Sequence, residues 1–206
     1  MGRRPRLHYD GAFYHFIARG NNRQPIFSGA KDRRLFEGYL TEGVERFGYR
    51  CHAYCWMTNH VHLAIEVSDV PLAHIAHNLL FRYARAFHRE HRRTGHLFER
   101  RYRAAVVETD NAFLSLVRYI HLNPIRAGIV ETAEKYPWSS YSAYLSRGSR
   151  TPAWLTRSFV LSLLGDSRAI GREVFRAFHQ EQHEAEVDWA VNAESPPIRA
   201  RGPGGG

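Results

Sequence analysis

The sequence predicts an α+β fold in which helices cover an antiparallel sheet. Stretches with alternating apolar residues are separated by longer stretches whose apolar residues recur at helical spacing. Their order is strand, helix, strand, strand, helix, strand, helix. The first six elements match the ferredoxin-like split βαβ plan, with an antiparallel sheet and its helices on one face. With 206 residues, 44% of them hydrophobic and 24% charged, the chain can bury a core of ordinary size.

The first half of the chain supplies a strand, a helix and a hairpin. Residues 13–18 are rich in aromatic side chains and end at a Gly-Asn-Asn turn signal. Residues 31–47 carry apolar side chains at helical spacing and are followed by Gly48, a typical helix stop. The alternating segments 49–57 and 60–67 flank a short polar break, which predicts an antiparallel hairpin.

The next part supplies a second helix, a fourth strand and a third helix. Residues 71–92 have helical apolar spacing and open with a proline, which favours a helix start. Residues 102–109 alternate and predict the fourth strand. Asp110 can cap a third helix, which ends either at Pro124 or at Gly128.

These elements define a domain over residues 1–147, and a helical extension is expected to follow over 148–193. Within the extension, helical patterns are centred on about 154–164 and 168–186. The tail, 194–206, is rich in proline and glycine and is expected to be disordered.

Composition argues against several classes of protein. No stretch approaches 18 uncharged apolar residues, so neither a spanning helix nor a membrane partner is expected. The basic N-terminus lacks the apolar segment of a signal peptide, which favours a cytoplasmic, nucleoid-associated location. Cys51 and Cys55 are predicted on one face of their strand, but their spacing matches no common zinc pattern. We therefore expect ordinary buried cysteines in a reducing compartment.

The charge of the chain is the first indication of a partner. Of 29 basic residues 27 are arginine, against 20 acidic residues, giving a net charge of +9. Arginine pairs bidentately with phosphate, although a GC-rich genome would also raise its content. Residues 81–103 contain eight arginines and only two glutamates. This cluster predicts a nucleic-acid surface; the alternative is a solvated helix face.

Two histidines in the predicted hairpin are candidate metal ligands. His60 and His62 are two residues apart on a strand, so both side chains lie on one face. Two imidazoles fixed side by side form half of a metal site. The alternative is a pair of polar residues on an exposed strand face.

A tyrosine and an asparagine on the third helix extend this hypothesis. Tyr119 and Asn123 are four residues apart and therefore share a helical face. They are candidates for a nucleophile and a third metal ligand. The alternative, simpler from these residues alone, is a half-buried core tyrosine and an asparagine that caps the helix before Pro124.

Five ordered segments carry a family resemblance that covers about residues 8–145. They are GNNRQPIF (20–27), GYRCHAYCWMTNHVHLAIE (48–66), GHLFERRYRAAVVE (95–108), YIHLNPIRAGIV (119–130) and PWSSYSAY (137–144). Together they closely resemble the single-tyrosine transposases of the HUH superfamily. Within that superfamily they are most similar to the REP-associated tyrosine transposases and their insertion-sequence relatives.

The resemblance implies the HUH endonuclease version of the ferredoxin-like fold and a role for each candidate. His60 and His62 would be the HUH pair, Tyr119 the nucleophile and Asn123 the third metal ligand. Because that third residue is an amide and not a carboxylate, the implied Mg²⁺ or Mn²⁺ would sit in a less negative cage.

The resemblance also implies a substrate and a reaction. Tyr119 would attack a phosphate of single-stranded DNA next to a hairpin, forming a 5′-phosphotyrosine and a free 3′-OH. His121 and Arg118 are local candidates to assist its deprotonation. The implied enzyme works as a homodimer or as a monomer. Candidate phosphate contacts are Arg3, Arg4, Arg6, Arg82, Arg85, Arg89, Arg92, Arg93, Arg100, Arg101 and Arg103.

Two other functions compete with a metal-dependent strand transferase. A non-catalytic DNA-binding regulator would keep the fold, but binding alone does not require the full set of histidines, tyrosine and asparagine. An RNA-binding module is also compatible with a ferredoxin-like sheet, yet the predicted strands carry no RNP-type aromatic motif.

Overall fold

The structure, a computed structural model, describes residues 8–146 and 151–180. Arg3, Arg4 and Arg6 and the tail predicted over 194–206 lie outside these ranges. Four strands form the sheet: β1 (Phe13–Arg19), β2 (Arg50–Trp56), β3 (His60–Glu66) and β4 (Arg103–Val107). The described ranges also hold the helices α1 (Ala30–Phe47), α2 (Leu72–His91), α3 (Asp110–Arg126), α4 (Tyr141–Leu145), α5 (Ser158–Leu164) and α6 (Arg168–Gln180).

The sheet has the strand order β2-β3-β1-β4, and all neighbouring strands are antiparallel. This order and the sequence of elements confirm the predicted ferredoxin-like α+β fold. The hairpin of β2 and β3 also forms as predicted, and β1 lies in the centre, between β3 and β4. The two central strands are therefore protected on both edges, and they position the histidines described below.

One face of the sheet packs against α1 and α2, as the predicted plan requires. Phe36 of α1 is fully buried and contacts Trp56 and Tyr83 edge-on, with ring centroids 5.1 Å apart in both pairs. α1 ends where predicted, at Gly48, whose φ of +66° is accessible to glycine without strain. This layer is apolar because both helices direct their periodic hydrophobic side chains at the sheet.

The opposite face packs against α3, which is braced by α4, α5 and α6. α3 begins one residue away from the predicted cap: Thr109, not Asp110, precedes the helix and accepts a hydrogen bond from the Ala112 N–H. The helix continues past Pro124 for one short turn and ends before Gly128, in agreement with the second of the two predicted ends.

A β-bulge corrects the predicted placement of the cysteines. The register of β2 shifts between Cys51 and Ala53, so one extra residue interrupts the alternation of side chains. Cys51 therefore packs with α1 and α2, while Cys55 packs on the α3 side. Both thiols are buried and free, as expected of ordinary core cysteines.

Within the described part of the extension, α5 and α6 pack on the α3 side of the sheet, whereas Trp154 and Leu155 join the core on the α1–α2 side. The helix predicted from residue 154 begins only at Ser158, because Leu155 forms a bridge with Cys51 and the Thr156 N–H donates to the Cys51 carbonyl. This segment covers the outer edge of β2 at Cys51, while residues 138–140 cover the same edge from Tyr54 to Trp56. No helix in the described ranges is both long and apolar enough to cross a membrane.

Candidate active site

The two histidines of β3 face α3 and are not exposed. His60 is half-buried and His62 is 3% exposed, because α3 covers this face of the strand. Their ring centroids are 4.9 Å apart and the ring planes are nearly perpendicular. Ala64 follows on the same face, while Val61 and Leu63 belong to the opposite core. The exposed-face alternative is therefore wrong.

Each imidazole is held at its Nδ1 atom. His60 Nδ1 lies 2.7 Å from Oδ1 of Asn59, and His62 Nδ1 lies 2.9 Å from Nε2 of His15. His15 is fully buried in the middle of β1, and its ring is nearly coplanar with that of His62, edge to edge, with centroids 5.2 Å apart. Sequence reasoning missed His15. The available signal was a histidine between two apolar residues of a strand predicted to be central.

The environment keeps these histidines neutral. Burial is the main cause that lowers the pKa of His60 to about 4 and that of His15 to about 3. Burial, followed by the neighbouring His60, His15 and Arg19, lowers the pKa of His62 well below its ordinary value. Arg19 pairs with His60 across β1 and β3, so its positive charge disfavours a second one there. Neutral imidazoles are the form that binds a metal.

Tyr119 lies against this histidine cluster. Its half-buried ring meets His62 and His15 edge-on, with centroids 5.7 Å away in both cases. The guanidinium of Arg126, two turns further along α3, lies 4.7 Å from the centroid of the tyrosine ring. A cation at this distance interacts favourably with the face of the aromatic ring. Sequence reasoning did not identify Arg126.

Asn123 is held one turn along the same helix. Its Nδ2 donates a hydrogen bond of 2.9 Å to the carbonyl of Tyr119, which orients the amide and directs Oδ1 away from that carbonyl. Its own carbonyl accepts from the Ala127 N–H at the end of α3, so the residue also takes part in the helix terminus.

The donor set fits a divalent cation in its chemistry: two neutral imidazoles and an amide oxygen. In the described ranges, no three histidine, cysteine, aspartate or glutamate side chains form a metal-binding group. A metal here would therefore depend on the amide, on water and on substrate oxygens to complete its ligands.

Two other residues of α3 face the C-terminal helix and not the histidine cluster. Arg118 Nε donates to the Phe178 carbonyl, and the buried His121 lies 2.9 Å from Nε2 of His179. His121 also contacts the Ser140 hydroxyl at 2.6 Å, and His179 Nδ1 donates to the Phe175 carbonyl. The helical period places these side chains toward α6, so they brace α3 and do not assist Tyr119 directly.

The arginines predicted to contact DNA fall on two sides of the sheet. Those on α2 or just after it belong to the helix layer opposite the histidine cluster: Arg82, Arg85, Arg89, Arg92 and Arg93. Two of them have acceptors within the chain, since Arg82 pairs with Glu42 at 2.5 Å and Arg93 hydrogen-bonds Gln24. Arg100, Arg101 and Arg103 precede or begin β4, on the histidine side.

A shallow pocket adjoins the histidines on that side. It is lined by Ile17, Arg19, Glu99, Arg100, Tyr102 and Arg103. Ile17 pairs with His62 on one neighbouring strand and with Arg103 on the other, so the pocket continues the row of residues that includes the histidine pair. Its lining contains three arginines and one glutamate, and this net positive charge favours binding of phosphate.

Comparisons with known proteins place this geometry in context. The family described as "Transposase IS200 like" matches residues 8–123. A search of curated protein sequences finds no significant match. Among solved structures, a REP-associated tyrosine transposase bound to a REP hairpin superposes with a TM-score of 0.62 and 14% identity, covering 76% of this chain and 98% of that one. At this identity the likeness shows a shared fold.

Proposed function

The chain belongs to the IS200-like transposase family, and from this premise we propose that it is a metal-dependent endonuclease and strand transferase acting on single-stranded DNA beside a hairpin. The observation that carries this proposal is the contact between Tyr119 and His62 across the interface of α3 and β3. A nucleophile must lie next to the groups that stabilise the charge on the phosphate it attacks. A protein that only bound DNA would not require this arrangement.

The proposed reaction is a pair of phosphoryl transfers. Oη of Tyr119 forms a bond to the scissile phosphorus, the bond from phosphorus to the 3′ oxygen breaks, and the phenol loses its proton. The products are a 5′-phosphotyrosine and a free 3′-OH. A 3′-OH of another strand then attacks the phosphotyrosine, which restores a phosphodiester and releases the tyrosine.

The residues around Tyr119 have distinct tasks in this scheme. Nε2 of His60, Nε2 of His62 and Oδ1 of Asn123 would hold Mg²⁺ or Mn²⁺. The ion, when bound, would polarise a phosphoryl oxygen and stabilise the charge that develops in the transition state. The guanidinium of Arg126 lies over the ring of Tyr119 and adds a positive charge beside the proposed nucleophile.

The pocket of Arg19, Arg100 and Arg103 is the proposed path of the single strand. It adjoins His62 through Ile17, and its three arginines lie on the same side of the sheet as the histidine pair, whereas the cations of α2 lie on the opposite side. We assign the α2 arginines to the hairpin duplex or to solvent. All candidate catalytic residues belong to one chain in which α3 packs on its own sheet, which supports a monomeric enzyme.

The test is a covalent adduct on a denaturing protein gel. Full-length protein is incubated with hairpin oligonucleotides that carry single-stranded flanks taken from around its gene, with Mg²⁺, Mn²⁺ or EDTA. We expect a metal-dependent adduct that disappears in Tyr119→Phe while hairpin binding persists. Tyr9→Phe is the matched control, because Tyr9 is 50% exposed and remote from the cluster.

The same experiment separates the competing functions. Tight hairpin binding without an adduct on any flank, with either ion, would contradict the proposal and favour a DNA-binding regulator. Stronger binding of an RNA hairpin of equal sequence would instead favour an RNA-binding module.

A further inference from the structure

His15 has no role in the reaction described above, yet it is among the most buried polar side chains of the described chain. It lies in the central strand β1, is 0% exposed and meets His62 edge to edge, with an angle of 18° between the ring planes. Its Nε2 lies 2.9 Å from His62 Nδ1. If this position only had to fill the core, an apolar side chain would do so without the cost of desolvating an imidazole.

The hydrogen bond between the two rings restricts where their protons lie. Two neutral imidazoles can share this bond only if one nitrogen carries a proton and the other accepts it. If His15 donated, His62 would carry its proton on Nε2 and could not present a lone pair there. If His62 Nδ1–H donates to His15 Nε2, the lone pair of His62 Nε2 is available.

The tautomer of His60 is determined in the same way, by its hydrogen bond to Asn59. His60 Nδ1 faces Oδ1 of Asn59 at 2.7 Å, and a carbonyl oxygen can only accept. His60 is therefore protonated on Nδ1 and presents the lone pair of Nε2. Both histidines on this strand face can present the lone pair of Nε2 only if His62, like His60, carries its proton on Nδ1.

We propose that His15 is a positioning residue that accepts the Nδ1–H of His62, thereby fixing the tautomer and ring orientation in which His62 Nε2 binds the cation. This inference deepens the proposed function and rests on it. Partners of this kind outside the ligand set raise metal affinity, and their loss weakens it by about 10–100-fold. Asn59 has the corresponding task for His60.

The first test measures metal binding without DNA, on the full-length protein, by calorimetric titration with Mn²⁺. His15→Leu removes the acceptor, and we expect its dissociation constant for Mn²⁺ to rise by about 10–100-fold. His15→Gln retains an oxygen that can accept the same proton and should bind nearly as tightly as the wild type. His52→Leu is the matched control, since His52 is also buried on the α3 side but bonds to Thr156 and Glu66.

Equal Mn²⁺ affinity in His15→Leu and wild type would overturn the inference while leaving the proposed function intact. A fall in affinity as large in His52→Leu as in His15→Leu would also overturn it, because the effect would then be one of general packing. Wild-type protein that binds no Mn²⁺ would contradict the metal-dependent function itself.

A second measurement does not depend on metal binding or on any variant. Long-range proton–nitrogen NMR correlations of ¹⁵N-histidine-labelled, metal-free wild type distinguish protonation on Nδ1 from protonation on Nε2. We expect both His62 and His60 to carry the proton on Nδ1. A His62 protonated on Nε2, with His15 as the donor, would refute the proposed role even if the protein cleaves DNA.

Discussion

The two faces of the sheet are built from different side chains. The face covered by α1 and α2 is aromatic and aliphatic, with fully buried rings that include Phe16, Phe36, Trp56, Tyr83 and Phe87. The side covered by α3 holds all five buried histidines of the described ranges: His15, His52, His62, His121 and His179. The same four strands therefore separate a core without buried histidines from one in which buried histidines lie among apolar side chains such as Phe113 and Phe175.

This difference shows how a small fold accommodates a polar site. Burying an imidazole is costly unless its nitrogens are hydrogen-bonded, and each of the five has a ring nitrogen within hydrogen-bond distance of a partner in the chain. The apolar face opposite supplies the burial that stabilises the fold. We expect substitutions in the α1–α2 core to change stability alone, and substitutions in the histidine layer to change both stability and the proposed chemistry.

The largest expected change in stability comes from the apolar face. Phe36→Ala removes a ring that contacts Phe27, Trp56 and Tyr83, and we expect the free energy of unfolding to fall by about 3–5 kcal/mol. Denaturant titration measures this loss, and adduct formation at a temperature where the variant is folded should persist. The matched control, Phe81→Ala, changes a ring that is 57% exposed and should be nearly neutral.

A smaller loss of stability is expected in the histidine layer. His179→Leu leaves the Nδ1–H of His121 without its acceptor in the core and should cost about 1–3 kcal/mol. Because this bond joins α6 to the helix of Tyr119, the rate of adduct formation should fall as well. Gln180→Leu, on the exposed side of α6, should change neither quantity. A stable His179→Leu variant with normal rates would mean that α6 does not brace α3.

The smallest effect concerns the edge of the histidine layer. Hydrogen bonds from His52 and Arg50 hold the pKa of Glu66 below its ordinary value, so the folded state disfavours protonation of this carboxylate. Its contribution to stability is present above about pH 4.5 and is lost as the pH falls below that value. We expect a difference below about 1 kcal/mol between wild type and Glu66→Gln, which should narrow on acidification in thermal unfolding. A difference that widened toward low pH would contradict this sign.

The apolar face could be predicted from the sequence almost completely. Periodic apolar residues set the ends of α1 and α2 to within one residue, because helix position follows directly from which side chains must meet the sheet. The strand order followed from the order of elements. The resemblance to single-tyrosine transposases is confirmed by the family match over residues 8–123.

The histidine layer was harder to predict because its contacts are made between segments distant in sequence. His15 and His62 are 47 residues apart, and nothing in the local pattern of β1 indicates that its histidine meets another ring. The late start of α5 has the same origin, since it depends on how residues 155–156 pair with the edge of β2. Roles for His60, His62, Tyr119 and Asn123 stay predictions.

The most direct test of the central claim is to locate the DNA on the protein. Trypsin cleavage after Arg118 and Arg126 releases the peptide 119–126, or 104–126 if an adduct blocks the first site. After incubation with a hairpin substrate and nuclease trimming, mass spectrometry should find a nucleotide 5′-phosphate on Tyr119. A nucleotide attached to another tyrosine, or an unmodified peptide 119–126 from protein purified as the covalent adduct, would contradict the account.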